Sequence, residues 1–351
     1  MKTKSLSQFL AASLLLSSPA LFAADSGAAL REICAAKVVA ATAPVVSGSN
    51  GWLFLPAELR HVSVGKFWGA EAAGVSKATK LENADPLPAI LDFKAQLDAA
   101  GVELILVPVP SKVFVYPEAL TGGALAAKPE RADTFHQEFY AELRKNGVTV
   151  IDLLPDLLAQ RAAADGPVFC KTDTHWSGAG LRIASQKIAA LLADKPWLKA
   201  APKTKTSTVE RAVEITGDLQ GMSGQPGKES VMLRFVGTET SAGATVIAPD
   251  RASPVVLLGD SHTLVFSAGA DMHAVGAGLP DQLLADLGLP VDLIGVRGSG
   301  ATPARVNLMR RVRGDAAYLA GKKVVIWCFT VREFTESSGW SKVALAKPAA
   351  N

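Results

Sequence analysis

Apolar residues along the chain fall into two kinds of segment. One kind is short and almost wholly apolar: Val102 to Val109, Val148 to Ile151, Pro254 to Leu258, Val291 to Val296 and Lys323 to Phe329. Such runs, rich in Val, Ile and Leu, predict strands covered on both faces, as in a parallel sheet. The other kind spaces its apolar residues by three and four. Residues 87–100 do so through Ile90, Leu91, Phe93 and Leu97 and stop at Gly101. Residues 129–146 do so up to Gly147, as do 177–192 with Ser177 placed to cap the start, and 302–313. These predict amphipathic helices. An Ala-rich stretch predicts a helix around Leu30 to Val39, and Gly51-Trp52-Leu53-Phe54 a short strand after a Ser-Gly-Ser-Asn turn. Strand, helix and strand with short returns is the grammar of βαβ units. The expected fold class is therefore α/β, with a mainly parallel sheet and helices on both faces. Residues 196–250 break the pattern. They are rich in Lys, Thr and Gly and predict short strands at best, so they are expected to form an insertion over the sheet edge or the site.

The composition suits that fold. With 351 residues, 49% hydrophobic and 20% charged, the chain has the material for one large domain over 25–351. Residues 1–24 read differently. Lys2 and Lys4 precede an uncharged apolar run from Phe9 to Phe22, followed by Ala23-Ala24-Asp25, the layout of a secretory signal. Cleavage after Ala23 or Ala24 leaves Leu21 or Phe22 where a small residue is preferred. The segment is thus expected either to be removed or to stay as an inner-membrane anchor, with the rest in the periplasm. The net charge is +3, and Lys2 and Lys4 supply two of those charges. A near-neutral remainder gives no support for a nucleic-acid partner. An oxidising compartment permits one disulfide among Cys34, Cys170 and Cys328. Cys328 lies in an apolar strand, which makes Cys34–Cys170 the expected pair.

Ligands of open parallel sheets sit beyond the carboxyl ends of the strands. After Pro254–Leu258 comes Gly259-Asp260-Ser261-His262-Thr263, which puts a serine hydroxyl and its backbone N–H at a strand-to-helix turn. The bland reading of this serine is a helix cap. Thr172-Asp173-Thr174-His175-Trp176 supplies the complement. An Asp and a His two apart on an extended segment share a side, so the carboxylate can fix the tautomer of a base. Together the two motifs give Ser261 as nucleophile, His175 as base and Asp173 as orienting acid. Arg297-Gly298-Ser299-Gly300, after another strand, offers backbone donors for an oxyanion and a guanidinium for a substrate carboxylate. Tyr116 could line a carbohydrate groove, but core or loop packing is its more common role. Trp176 either shields the Asp-His pair or touches substrate. His61, His136 and His273 have no acidic or cysteine partner at ligand spacing.

These pieces resemble the alginate O-acetyltransferase family of AlgJ and AlgX, whose catalytic domain is SGNH-hydrolase-like. The resemblance rests on Gly51-Trp-Leu-Phe54, Pro108-Val-Pro-Ser-Lys112 with Tyr116-Pro-Glu118, Thr172-Asp-Thr-His-Trp-Ser177, Gly259-Asp-Ser-His262 and Ile326-Trp327. It spans about residues 45–335. In ordinary SGNH hydrolases the serine comes first and an Asp-x-x-His pair last. Here the order is circularly rearranged and the spacing is one residue, as in this family. The resemblance implies that Asp173, His175 and Ser261 form the triad. It implies periplasmic transfer of acetyl groups, through an acetyl-serine, to hydroxyls of an exopolysaccharide acceptor. A membrane-bound O-acyltransferase would supply the acetyl, and no cofactor is needed. The Gly-Asp-Ser-His motif and the 297–300 loop depart from the alginate enzymes, leaving open alginate or another acetylated polymer. Three other readings compete: a carbohydrate acetyl-esterase with the same triad, a non-catalytic polysaccharide-binding scaffold, and a metal site built from Asp173-x-His175 and Asp260-x-His262.

Overall fold

The apolar runs assemble side by side. The computed structural model describes residues 26–123, 130–164, 166–240 and 243–346, and the expected export signal at 1–24 lies outside them. Its strands are β1 (Val46–Ser47), β2 (Leu53–Phe54), β3 (Glu103–Val109), β4 (Thr149–Val150), β5 (Ser207–Ile215), β6 (Glu229–Thr240), β7 (Gly243–Thr245), β8 (Val255–Gly259), β9 (Asp292–Gly295) and β10 (Val324–Thr330). Five of them form one sheet in the order β4-β3-β10-β8-β9. All its pairings are parallel. Among the described residues, no helix is long and apolar enough to cross a membrane.

Alternation along the strands explains the two covered faces. Ile105, Val107, Leu257, Ile326 and Cys328 face one apolar layer, built with the helices Ser26–Ala40, Gly178–Leu192 and Leu279–Leu287. Leu104, Leu106, Val256, Leu258, Val325 and Trp327 face the other, against Ile90 and Phe93 of Pro86–Ala99, Phe139 of Thr134–Lys145 and Leu308 of Thr302–Gly314. Every residue of β8 and β10 is buried. Each fully buried Val, Leu, Ile or Phe contributes roughly 1.5–3 kcal/mol of transfer free energy, so the two layers hold the sheet and set its register.

Two elements differ from the expectation. Residues 196–250 hold long strands, not short ones: β5 has nine residues and β6 twelve, paired antiparallel, with β7 on the far side of β6. Most of β5 is exposed, so it lacks the alternation that signals a half-buried strand. The helix Leu279–Leu287 was not predicted: it spans only nine residues, and although Leu279, Leu283, Leu284 and Leu287 share a side, its polar Asp281 and Gln282 are buried too.

The cysteines correct the expected disulfide. Cys34, Cys170 and Cys328 are all buried free thiols. Cys34 packs among the apolar residues of the first layer, and burial pushes its thiol up to about 12. The Cys170 thiol instead lies 3.6 Å from the Trp176 carbonyl. All three behave as small hydrophobes.

Lys112, just past β3, is 0% exposed and ties the sheet to the site. Its Nζ donates to the carbonyls of Asp173 (2.6 Å) and Leu53 (2.9 Å) and lies over the rings of Trp52 and Phe54. Lys112→Met is expected to leave these buried carbonyls without donors and to cost about 2–4 kcal/mol. A denaturant titration showing no lower midpoint would refute this.

Candidate active site

The carboxyl ends of β8, β10 and β3 define one edge of the sheet, and the chemistry gathers there. The last residue of β8 must be glycine. A Cβ on Gly259 would lie 1.8 Å from the Cys328 carbonyl oxygen. The chain then turns into a single 3-10 turn, Ser261–Thr263, where the sequence predicted a helix start. The Asp260 side chain caps that turn by accepting the His262 N–H at 2.9 Å. Its other oxygen accepts the Thr330 N–H at 2.8 Å, which anchors the nucleophile turn to the end of β10.

The Asp173–His175 segment is a bend, not the extended stretch expected. Phe169 and Trp176 bridge as in a hairpin, and the Cys170 N–H donates to the His175 carbonyl at 3.1 Å. Within this bend Asp173 Oδ1 accepts the His175 backbone N–H at 2.9 Å and lies 2.6 Å from His175 Nδ1. His175 Nε2 then lies 2.7 Å from Ser261 Oγ. Residues 86 apart in the chain are thus within proton-transfer distance. Asp173 is 0%, His175 4% and Ser261 7% exposed.

Electrostatics favour a basic His175. Burial opposes charge on Asp173. The His175 ring, with hydrogen bonds from His175, His273 and the Asp218 N–H, outweighs burial and holds the acid well below the usual carboxylate range. Burial also opposes charge on His175, but the Asp173 charge and hydrogen bond, helped by Asp218 and Asp260, hold the imidazole above its ordinary value. A reaction that needs His175 unprotonated is therefore expected to lose rate below a midpoint above about 6.5. A rate that stays level down to pH 5 would contradict this.

The second Asp-x-His pair repeats the local geometry with a different aim. His262 Nδ1 lies 3.1 Å from Asp260 Oδ1, and the ring packs edge-on against Trp176. Burial, with His175 and Arg332 nearby, outweighs Asp260 and keeps His262 below its ordinary value. The two pairs do not form one ligand set. Among the described residues, the cluster with ligand atoms close enough for a metal is Asp173, His175 and Asp218. There Asp173 Oδ1 accepts two N–H bonds and Oδ2 two more. That is a hydrogen-bonded carboxylate with its acceptor sites filled, and it fits an orienting acid better than a ligand.

Other candidates take different places. Trp176 is 0% exposed and packs against His262 behind the site, a placement that fits shielding. Tyr116 is 5% exposed; its hydroxyl donates to the Arg161 carbonyl and accepts the Val168 N–H, both at 2.9 Å, and its ring packs on Trp52. It braces the loop before the site and offers no groove. Arg297 reaches Asp271 with both Nε and Nη2, at 2.7 and 2.8 Å. The Ser299 hydroxyl donates to Glu333, whose carboxyl burial pushes up to about 7. Gly300 presses on the nucleophile turn, since a Cβ there would lie 2.9 Å from the Asp260 nitrogen. The Gly298 backbone, at φ +99°, has open space beside it. Gly300 is thus the residue of this loop whose close approach to the nucleophile turn excludes a side chain.

Two site residues were not anticipated. Asp218 comes from the 196–250 segment. Its N–H donates to Asp173 Oδ2 at 2.8 Å, and its carboxylate accepts the Thr174 N–H at 2.7 Å. This approach requires Gly217, where a Cβ would lie 2.1 Å from the Thr172 carbonyl oxygen. The other is His273, expected to lack an acidic partner; its Nε2 lies 2.8 Å from Asp173 Oδ2. No short-range spacing announces either contact.

The family model described as an SGNH hydrolase-like domain, acetyltransferase AlgX, matches residues 45–331. The chain belongs to that family. Among curated AlgX-family relatives, a protein named probable alginate O-acetylase AlgJ from Pseudomonas syringae pv. tomato is 28% identical over 294 residues, 82% of this chain and 68% of its own length. Its namesake from Pseudomonas fluorescens is 31% identical over 193 residues, 52% of this chain and 47% of its own. The solved O-acetyltransferase domain of Pseudomonas putida AlgJ superposes with a TM-score of 0.59 at 24% identity, covering 83% of this chain and 91% of that one. Pseudomonas aeruginosa AlgX superposes at 0.58 and 17% identity, covering 84% and 63%. The likeness to both shows an SGNH hydrolase-like fold.

Proposed function

We propose that the protein is an exported O-acetyltransferase that acetylates hydroxyls of an exopolysaccharide, alginate or a similar polymer, through an acetyl-Ser261 intermediate. The observation that carries this reading is the continuous line Asp173 Oδ1, His175 Nδ1, His175 Nε2, Ser261 Oγ, with contacts of 2.6 and 2.7 Å. Ser261 Oγ attacks the acetyl carbonyl of the donor while His175 Nε2 takes its proton. The bond from carbonyl carbon to donor oxygen breaks, and that oxygen leaves with the proton from His175. An acceptor hydroxyl then gives its proton to His175 and bonds the acetyl carbon, and Ser261 Oγ leaves reprotonated. The Ser261 N–H, first in its 3-10 turn and so without a partner inside it, is one oxyanion donor in this reading; the Gly298–Gly300 backbone is the other. Arg297 is the group for an acceptor carboxylate once it exchanges Asp271 for substrate.

The names of the AlgJ relatives support alginate as acceptor. The charged start and apolar run of residues 1–24 support a periplasmic location, where a membrane-bound O-acyltransferase supplies acetyl groups. The test is product analysis with an activated acetyl ester and an oligouronate acceptor. The expected product is acetylated sugar, formed equally well in chelator. Free acetate alone would favour the esterase reading, and loss of activity in chelator the metal reading.

A further inference from the structure

Asp173 is gripped from two sides by imidazoles, and the chemistry above uses only one of them. We propose that His273 is a positioning residue for the reaction, holding the Asp173 carboxylate from the side opposite His175. The proposal rests on the reading of Ser261, His175 and Asp173 as the reacting set.

The carboxylate is satisfied symmetrically. Oδ1 takes the ring and backbone N–H groups of His175, at 2.6 and 2.9 Å. Oδ2 takes the His273 ring at Nε2 and the Asp218 backbone N–H, both at 2.8 Å. An ionised carboxylate only accepts, so His273 must present its proton on Nε2. Removing that donor leaves one oxygen of a buried anion under-satisfied and free to swing about its Cβ–Cγ bond, which turns His175 away from Ser261.

The backbone that delivers His273 is strained. His273 has φ +68° and ψ −43°, and the Ala274 N–H donates to the Met272 carbonyl at 2.8 Å. These are the marks of a γ-turn in its rarer, strained hand. Phe266 and Ala270 also have positive φ, at 60° and 48°. Strain of this kind persists where surrounding contacts over-determine it, and it gathers at functional sites. Here the Phe266 N–H donates to the Met272 carbonyl at 2.8 Å, the Gly269 N–H to the Ala274 carbonyl at 2.9 Å, and Arg297 holds Asp271 at the outer rim. The Phe266 ring lies 5.8 Å from that of His273. A turn built to satisfy a carboxylate in passing needs none of this bracing.

The charged and titratable groups around His175 are Asp173, Asp218, Asp260 and the His262 ring; those around His273 are Asp173 and Asp271. Loss of the His273 N–H concentrates negative charge on Asp173, so His175 gains proton affinity. A merely structural histidine leaves that affinity alone.

The full chain and its His273→Ala and His273→Gln variants are compared for the pH dependence of acetyl-enzyme formation from an aryl acetate, with thermal unfolding alongside. His273→Ala is expected to acylate roughly 10–100-fold more slowly and to shift its acidic limb to higher pH. His273→Gln, whose amide N–H reaches the same oxygen, is expected to recover most of both. If His273→Ala does not fold, His273→Met, which fills the space without a donor, takes its place. An unmoved acidic limb, or a glutamine variant no better than alanine, overturns the proposal. Ser261→Ala run in parallel reports on the underlying reading: if it acylates like the wild type, that reading fails, whatever the His273 variants do.

Discussion

Ser261→Ala is expected to lower the rate of acetyl transfer by about 10⁵–10⁶-fold, leaving only what binding and oxyanion donors supply. At about 1.4 kcal/mol per factor of ten, that is about 7–8 kcal/mol of transition-state stabilisation. The size follows from the site. The hydroxyl is placed by a turn that needs Gly259, is fixed by the Asp260 cap, and has His175 Nε2 at 2.7 Å. The neighbouring His262 is committed to Asp260. Thr263, the nearest other hydroxyl in the turn, donates to the Asp260 carbonyl at 2.7 Å. No substitute nucleophile stands ready in the turn. Folding is expected to survive, because the side-chain bond that the alanine removes is the one to His175, and an unchanged melting curve checks this. A variant within tenfold of the wild type would show that another group carries the reaction.

Asp173→Asn is expected to cost about 10⁴-fold while altering the shape of the site very little. The asparagine amide would donate to His175 Nδ1 and force the imidazole proton onto Nε2, facing Ser261 Oγ, so the base would lose its acceptor. The other side suffers as well. Asp173 Oδ1 and Oδ2 each accept two N–H groups, and an amide cannot accept four. Whichever way it is flipped, its NH₂ faces a donor. The loss should therefore appear in kcat, with a smaller change in KM, plus a drop in stability. An Asp173→Asn enzyme with wild-type kcat would remove the orienting acid from the account.

The sheet was legible because its strands are buried on both faces. Val102 to Val109 and Lys323 to Phe329 are apolar runs too short for helices, and they became β3 and β10 at the centre. The helix at 87–100 was legible for the opposite reason: Ile90, Phe93 and Leu97 are buried on an otherwise partly exposed helix. The exposed strand β5 carries neither contrast; the helix Leu279–Leu287 does space its leucines by four, but over only nine residues. In the site, Asp173 and His175 were legible as a pair because their bond closes within one bend. Their encounter with Ser261 depended on the rule that ligands gather at the carboxyl ends of parallel strands. Asp218 and His273 reach Asp173 from 45 and 100 residues away, through turns fixed by Gly217 and by backbone of positive φ. Spacing says nothing about such contacts. Tyr116 and Trp176 left two readings open because aromatic side chains serve grooves and cores alike; the hydrogen bonds of the Tyr116 hydroxyl and the burial of Trp176 fit the packing reading of each.

The central claim is that the Ser261 hydroxyl carries the acetyl group. Intact-mass measurement after brief exposure to an activated acetyl ester, followed by peptide mapping, tests it most directly. The account predicts a single acetyl group on Ser261, absent from Ser261→Ala and His175→Ala, and discharged when acceptor sugar is added. Equal labelling of wild type and Ser261→Ala, or an acetyl group mapped to another residue, would contradict it.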